Sequence, residues 1–225
     1  MNIVLDYDGT LHNTKSIYGN ALRQAYDSLV TQNLADPKEI SDDLAASFLG
    51  CTPDETWNKL VPGISQKTKE EVIPLTGSIM NQDIQNGKSK LYPGTEDTLK
   101  ALKEKGHHLY ILSNCTEYYM ECHRKSFNLD RFIDEFYPAE RYDYQKKPDI
   151  FKVIEKDIEA KGGDVSKENF LIVGDRFHDI ETALIHKLHS AACLYGFGSP
   201  DELKDAEYSL DCVSDLLKVV DKIEN

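Results

Sequence analysis

Four short runs of unbroken apolar residues, each ending abruptly in polar ones, constrain this chain more than any other feature. They are Ile3-Val4-Leu5, Leu109-Tyr110-Ile111-Leu112, Phe170-Leu171-Ile172-Val173 and Ala191-Ala192-Cys193-Leu194. None alternates apolar with polar, so each needs cover on both faces, as strands of a parallel sheet between helices have. Amphipathic segments at helical spacing separate them: Gly94 to Lys105, Pro148 to Lys161 and Asp179 to His189. Strand–helix alternation of this kind predicts an α/β protein with a doubly wound parallel sheet.

One stretch breaks the alternation. Residues 15–87 contain no convincing strand and read as four helices, Ser16–Gln32, Lys38–Leu49, Pro53–Leu60 and Lys67–Asn86. Thr52-Pro53 has the form of an N-cap followed by a first-turn proline. The expected organisation is therefore an α/β core of residues 1–14 plus 88–225, with a helical domain over 15–87. A chain of 225 residues accommodates one such core and an insert.

Composition excludes several classes. With 26 basic and 39 acidic residues the net charge is −13, which disfavours nucleic acid and anionic membrane surfaces as partners. No apolar run approaches the ~18 residues of a membrane span. The N-terminal Met-Asn-Ile-Val-Leu-Asp is too short and too acidic for a secretory signal. Five cysteines with no CxxC spacing fit neither a disulfide framework nor a zinc ribbon, so reduced thiols and a cytoplasmic location are expected. The oligomeric state is not legible; monomer and dimer are both compatible.

The chemistry sits at the strand ends. Ile3-Val4-Leu5 runs into Asp6-Tyr7-Asp8-Gly9-Thr10, Leu112 into Ser113-Asn114, and Val173 into Gly174-Asp175-Arg176-Phe177-His178-Asp179. In an open parallel sheet the C-terminal strand ends line one crevice. Asp6, Asp8, Asp175 and Asp179 would converge there. Crowded carboxylates repel, and a hard divalent cation relieves the repulsion; all-oxygen ligation suits Mg2+, which usually carries substrate phosphate as well. The cluster thus predicts a metal and a phosphate-bearing substrate together.

These residues resemble a known set. Asp6-Tyr7-Asp8-Gly9-Thr10-Leu11 matches the DxDGT signature of the haloacid dehalogenase superfamily. Ser113, after an apolar strand, matches its second motif, Lys147-Pro148 its third, and Gly174-Asp175 with Asp179 its fourth, in order and at similar spacing. The resemblance is to the phosphoglycolate-phosphatase-like branch. It implies a Rossmann-like core, and residues 15–87 look like the family's α-helical cap.

The same resemblance implies roles. Asp6 would attack phosphorus and carry an aspartyl phosphate. Asp8 would protonate the leaving oxygen, then deprotonate the hydrolytic water. Thr10, Ser113 and Asn114 would hold the phosphoryl group, and Lys147 would neutralise nucleophile and phosphoryl charge. Asp6, the Asp8 backbone carbonyl and Asp175 would ligate Mg2+, with Asp179 in support, directly or through water. The substrate implied is a small phosphorylated metabolite, phosphoglycolate- or sugar-phosphate-like. Asp8 argues against dehalogenation, in which no leaving oxygen needs a proton.

Alternatives stand beside this reading. Lys146-Lys147-Pro148-Asp149-Ile150-Phe151 is two residues shorter than the family's usual stretch, so Lys146 competes for the Lys147 role. A phosphosugar mutase of the β-phosphoglucomutase type would carry a His where Tyr18 stands, and a silent binding module on the same scaffold is the third option. Asp175 and Asp179 could simply cap a helix. His186 and His189, three apart on an expected helix, lack a third ligand for zinc. Gly196-Phe197-Gly198-Ser199 reads as a turn, and Tyr118-Tyr119 and Trp57 as packing residues.

Overall fold

Aliphatic runs that must be covered twice find their cover between two layers of helices. The computed structural model describes residues 1–49 and 51–225 and divides into two compact units, Met1–Asn13 with Leu91–Asn225, and Thr14–Lys90.

The first unit holds a six-stranded parallel sheet. Its strands are β1 (Asn2–Leu5), β2 (His108–Ser113), β3 (Glu135–Pro138), β4 (Phe170–Gly174), β5 (His189–Cys193) and β6 (Tyr208–Leu210), in the order β3-β2-β1-β4-β5-β6. The first strand in sequence is thus interior. Leu5 pairs with Ile111 on one side and Val173 on the other, so the ends of β1, β2 and β4 lie abreast. The polar residues following those strands are delivered to one edge by this register.

The second unit is helical: α1 (Lys15–Thr31), α2 (Asp42–Ala46), α3 (Pro53–Leu60) and α4 (Gln66–Gln85). Ala21, Leu22, Ala25, Leu29, Trp57 and Ile79 are among the residues forming its core. Trp57 is buried there. A capping box starts α3: Glu55 N–H donates to Thr52 Oγ1 at 3.2 Å, and Thr52 N–H donates to Glu55 Oε2 at 2.8 Å. Such a cap is worth ~1 kcal/mol. Tyr18 donates its hydroxyl to Thr56 Oγ1 at 3.5 Å. No helix among the described residues is long and apolar enough to cross a membrane.

The remaining helices belong to the sheet unit: α5 (Thr95–Glu104), α6 (Glu117–Ser126), α7 (Lys147–Ala160), α8 (Phe177–His186), α9 (Pro200–Leu203) and α10 (Asp215–Ile223). Phe151, Ile154 and Ile158 of α7 pack with Val4, Tyr110, Leu112, Phe170 and Ile172 from the central strands. Phe151 meets Phe170 edge-on, with ring centroids 5.2 Å apart.

Several elements differ from the expectations. Strands β3 and β6 escape the apolar-run criterion because they are edge strands of four and three residues, one ending in proline and the other burying only Leu210. Helix α6 is obscured because its buried face includes Tyr119 and His123. Helix α2 is shorter than expected and starts after Ser41, whose hydroxyl accepts the Leu44 N–H at 3.1 Å. Helix α8 stops at His186, with Lys187 left-handed at φ 58°, so His189 opens β5. The two histidines therefore share no helix: His186 Nε2 pairs with the Pro148 carbonyl at 2.9 Å, and His189 Nδ1 with Glu207 at 2.7 Å.

The Phe151–Phe170 contact sits where α7 meets the sheet, and Phe151 is fully buried. Phe151→Ala should lower unfolding free energy by about 3–5 kcal/mol, read from urea denaturation.

Candidate active site

The loop after β1 is closed by its own backbone. Asp6 N–H donates to the Val173 carbonyl at 2.8 Å, joining the β1 end to β4. The Tyr7 carbonyl accepts from the N–H groups of Leu11 and His12 at 2.9 Å each, and Gly9 N–H returns to the His12 carbonyl at 2.9 Å. Gly9 is left-handed at φ 85°, and a Cβ there would fall 2.2 Å from Asp175 Oδ2. Only glycine permits that turn and that approach together.

The acids from β1 and β4 meet. One carboxylate oxygen from each of Asp6, Asp175 and Asp179 lies within 4.8 Å of the others, and all three residues are buried. Lys147 is buried among them. Its Nζ donates to Asp6 Oδ1 and to Asp179 Oδ1, both at 2.6 Å. Lys146 is the exposed N-cap residue of the same helix, so the geometry favours Lys147 over its neighbour. A cation at a helix N-terminus opposes the helix dipole, so the two carboxylates, not the helix, account for its placement.

Three carboxylates against one ammonium leave two negative charges uncompensated if all ionise. Burial pushes the Asp6 carboxyl well above the ordinary range; Lys147 opposes this, and Asp179 and Asp175 reinforce it. Burial and then Asp179 push Asp175 up to about 7, against the lowering effect of the Phe197 N–H. Burial alone would lower Lys147, but Asp179 and Asp6 override it and raise its pKa. Asp175 Oδ1 is buried with no hydrogen-bond partner. An orphaned buried oxygen beside two further acids, with a two-charge deficit, fits a divalent cation.

Asp175 is held in a cradle of backbone. Phe197 N–H donates to its Oδ2 at 2.7 Å. A Cβ on Gly196 would fall 2.2 Å from Asp175 Cβ, and one on Gly198 would fall 2.1 Å from the Asp175 carbonyl. The segment read as a plain turn thus positions a site carboxylate, a role its local pattern does not carry. Asp179 accepts the Arg176 N–H on Oδ2 at 3.0 Å, and a Cβ on Gly174 would fall 2.1 Å from its Cγ. It caps α8 and pairs with Lys147 at the same time.

The Asp8 side chain takes a different direction. Its Oδ1 accepts from Tyr119 Oη at 2.8 Å and lies 2.7 Å from His12 Nδ1. Its carboxylate is outside the cluster of three acids. His12 and Tyr119 were not among the expected site residues. His12 had a signal, following Asp8 by four within the motif loop; Tyr119 had none. Ser113 is buried at the β2 end and Asn114 is exposed beside it. Thr10 is buried toward β5, where its carbonyl accepts from Tyr195 Oη at 2.9 Å and its hydroxyl lies beside the Cys193 thiol.

Comparisons of sequence and of structure find similar proteins. Residues 3–193 match the haloacid dehalogenase-like hydrolase family. A phosphoglycolate phosphatase from Aliivibrio fischeri is 24% identical over 96% of this chain and 92% of its own. The pyrophosphatase PpaX from Bacillus cereus is 24% identical over 97% and 95%. A crystal structure named as a predicted phosphoglycolate phosphatase from Haemophilus somnus superposes with TM-score 0.80 at 20% identity, covering 97% of both chains.

The raised Asp175 carboxyl carries a stability consequence. An acid whose folded pKa lies above its unfolded value stabilises the fold when protonated, and that contribution fades as pH rises from about 4 toward about 7. In chelator, the wild type should therefore lose unfolding free energy between pH 5 and pH 8 relative to Asp175→Asn, and added divalent cation should reverse the loss. Paired urea titrations check this.

Proposed function

The chain belongs to the haloacid dehalogenase-like hydrolases, and on that premise we propose that it is a magnesium-dependent phosphatase acting on a small phosphorylated metabolite through an aspartyl phosphate on Asp6. The observation that carries the reading is Asp6 buried against Lys147, within reach of Asp175 and Asp179.

Asp6 is the nucleophile. Its carboxylate oxygen forms a bond to phosphorus as the bond from phosphorus to the leaving oxygen breaks. Lys147, 2.6 Å from Asp6 Oδ1, orients that carboxylate and offsets the charge brought in by the phosphoryl group. Asp8 gives a proton to the leaving oxygen. It then takes one from the water that cleaves the acyl phosphate, releasing inorganic phosphate and restoring Asp6. Two carboxylates in opposite roles need different surroundings: Asp6 is buried among charges, whereas Asp8 is partly exposed and accepts from a phenol.

Asp6, Asp175, Asp179 and the Asp8 carbonyl would hold Mg2+, which supplies Lewis-acid polarisation of the phosphoryl oxygens when bound. Ser113, Asn114 and Thr10 are the proposed polar contacts to the phosphoryl group. Of these, Thr10 has the weakest geometric support, being turned toward Cys193 and Tyr195.

The substrate class is a monophosphate of phosphoglycolate or sugar-phosphate size. Residues 15–87 carry 6 basic and 10 acidic side chains, a poor balance for a large polyanion. The location we propose is cytoplasmic, on the five cysteines without CxxC spacing.

Hydrolysis of an aryl phosphate should require Mg2+ and stop in chelator, and Asp6→Asn should lower kcat by at least about 1,000-fold. Wild-type turnover in that variant would overturn the mechanism.

A further inference from the structure

The expected chemistry leaves a buried group of aromatic and imidazole side chains without a task. His12 and His123 are both fully buried, with ring centroids 4.3 Å apart. Tyr7 stacks on His12 at 5.5 Å and pairs its hydroxyl with His123 Nδ1 at 2.9 Å. Tyr119 meets the edge of His123 at 4.5 Å. Burial, then the neighbouring His12, push His123 down to about 3, so this ring packs as a neutral group.

The group meets Asp8 at its polar end. Tyr119 Oη donates to Asp8 Oδ1 at 2.8 Å, and His12 Nδ1 reaches the same oxygen at 2.7 Å. His12 is carried there by the loop closed on the Tyr7 carbonyl, and Tyr119 by α6. Neither belongs to the metal cluster, and both rings are wedged by His123. An oxygen that accepts two hydrogen bonds in fixed directions is poorly placed to exchange a proton with a third partner.

Resting on the reading of Asp8 as acid and base, we propose that His12 and Tyr119 are positioning residues that clamp Asp8 by Oδ1 and so fix the orientation in which its carboxylate exchanges the proton. The clamp holds the carboxylate plane. Its contribution lies in orientation, where misplacement of a reacting group by a fraction of a bond length is costly.

The test compares leaving groups. Phenyl phosphate needs a proton on its leaving oxygen; dinitrophenyl phosphate expels a stable anion and does not. The rate of the first burst of phenol or dinitrophenol release is measured with Mg2+ for wild type, Asp8→Asn, Tyr119→Phe, His12→Leu and His12→Asn. Tyr119→Phe keeps the ring, and an Asn amide nitrogen can stand near His Nδ1. Thermal unfolding of each variant confirms folding.

Tyr119→Phe and His12→Leu should each slow the phenyl phosphate burst about 10- to 100-fold while changing the dinitrophenyl burst less than about threefold, and His12→Asn should recover part of the loss. Equal slowing with both substrates, a change confined to KM, or no slowing overturns the clamp. If Asp8→Asn itself shows no leaving-group dependence, the acid role of Asp8 falls and the clamp with it. Dependence in Asp8→Asn alone overturns the clamp and leaves that role intact.

Discussion

Everything at the strand ends depends on one ammonium. Lys147 is buried with Asp6 and Asp179, 2.6 Å from an oxygen of each. Burying an unpaired charge costs several kcal/mol, and a buried pair breaks even only when its remaining hydrogen bonds are made. Here Arg176 N–H takes the second Asp179 oxygen. The sheet register, the glycines and the helix start can all be understood as means of bringing three acids to one lysine without leaving any of them in apolar surroundings.

That arrangement separates two carboxylates of one motif. Asp6 and Asp8 are two residues apart, yet one turns into the charged cluster and the other toward Tyr119 and His12. The left-handed Gly9 turns the chain immediately after Asp8. Different partners give the two acids different surroundings, which is what the proposed nucleophile and proton carrier require.

Legibility in the sequence followed the range of the interactions. The three polar strand ends were readable because apolar runs stop where the polar residues begin. The rule for parallel sheets predicted that Asp6, Asp8, Asp175 and Asp179 converge; three of them do, and the Asp8 carboxylate turns away toward Tyr119 and His12. The choice between Lys146 and Lys147 was not readable, since adjacent lysines before a helix look alike until one is buried. Phe197 and Asp175, like Tyr119 and Asp8, meet through tertiary hydrogen bonds that leave no periodic trace. Strands β3 and β6 were hidden because a short edge strand needs little apolar content.

The cradle around Asp175 has a consequence for synthesis of the chain. Asp175 takes its hydrogen bond from Phe197, beyond β5, while Asp6 emerges among the first residues made. A chain still on the ribosome, with β4 complete but β5 and its following loop not yet formed, has its acids but lacks the Phe197 N–H that seats Asp175. Asp6 and the seat of Asp175 therefore come together only when the chain from β5 onward has docked. A nascent or C-terminally clipped chain should be inert toward phosphate esters, with no separate inhibitory segment required.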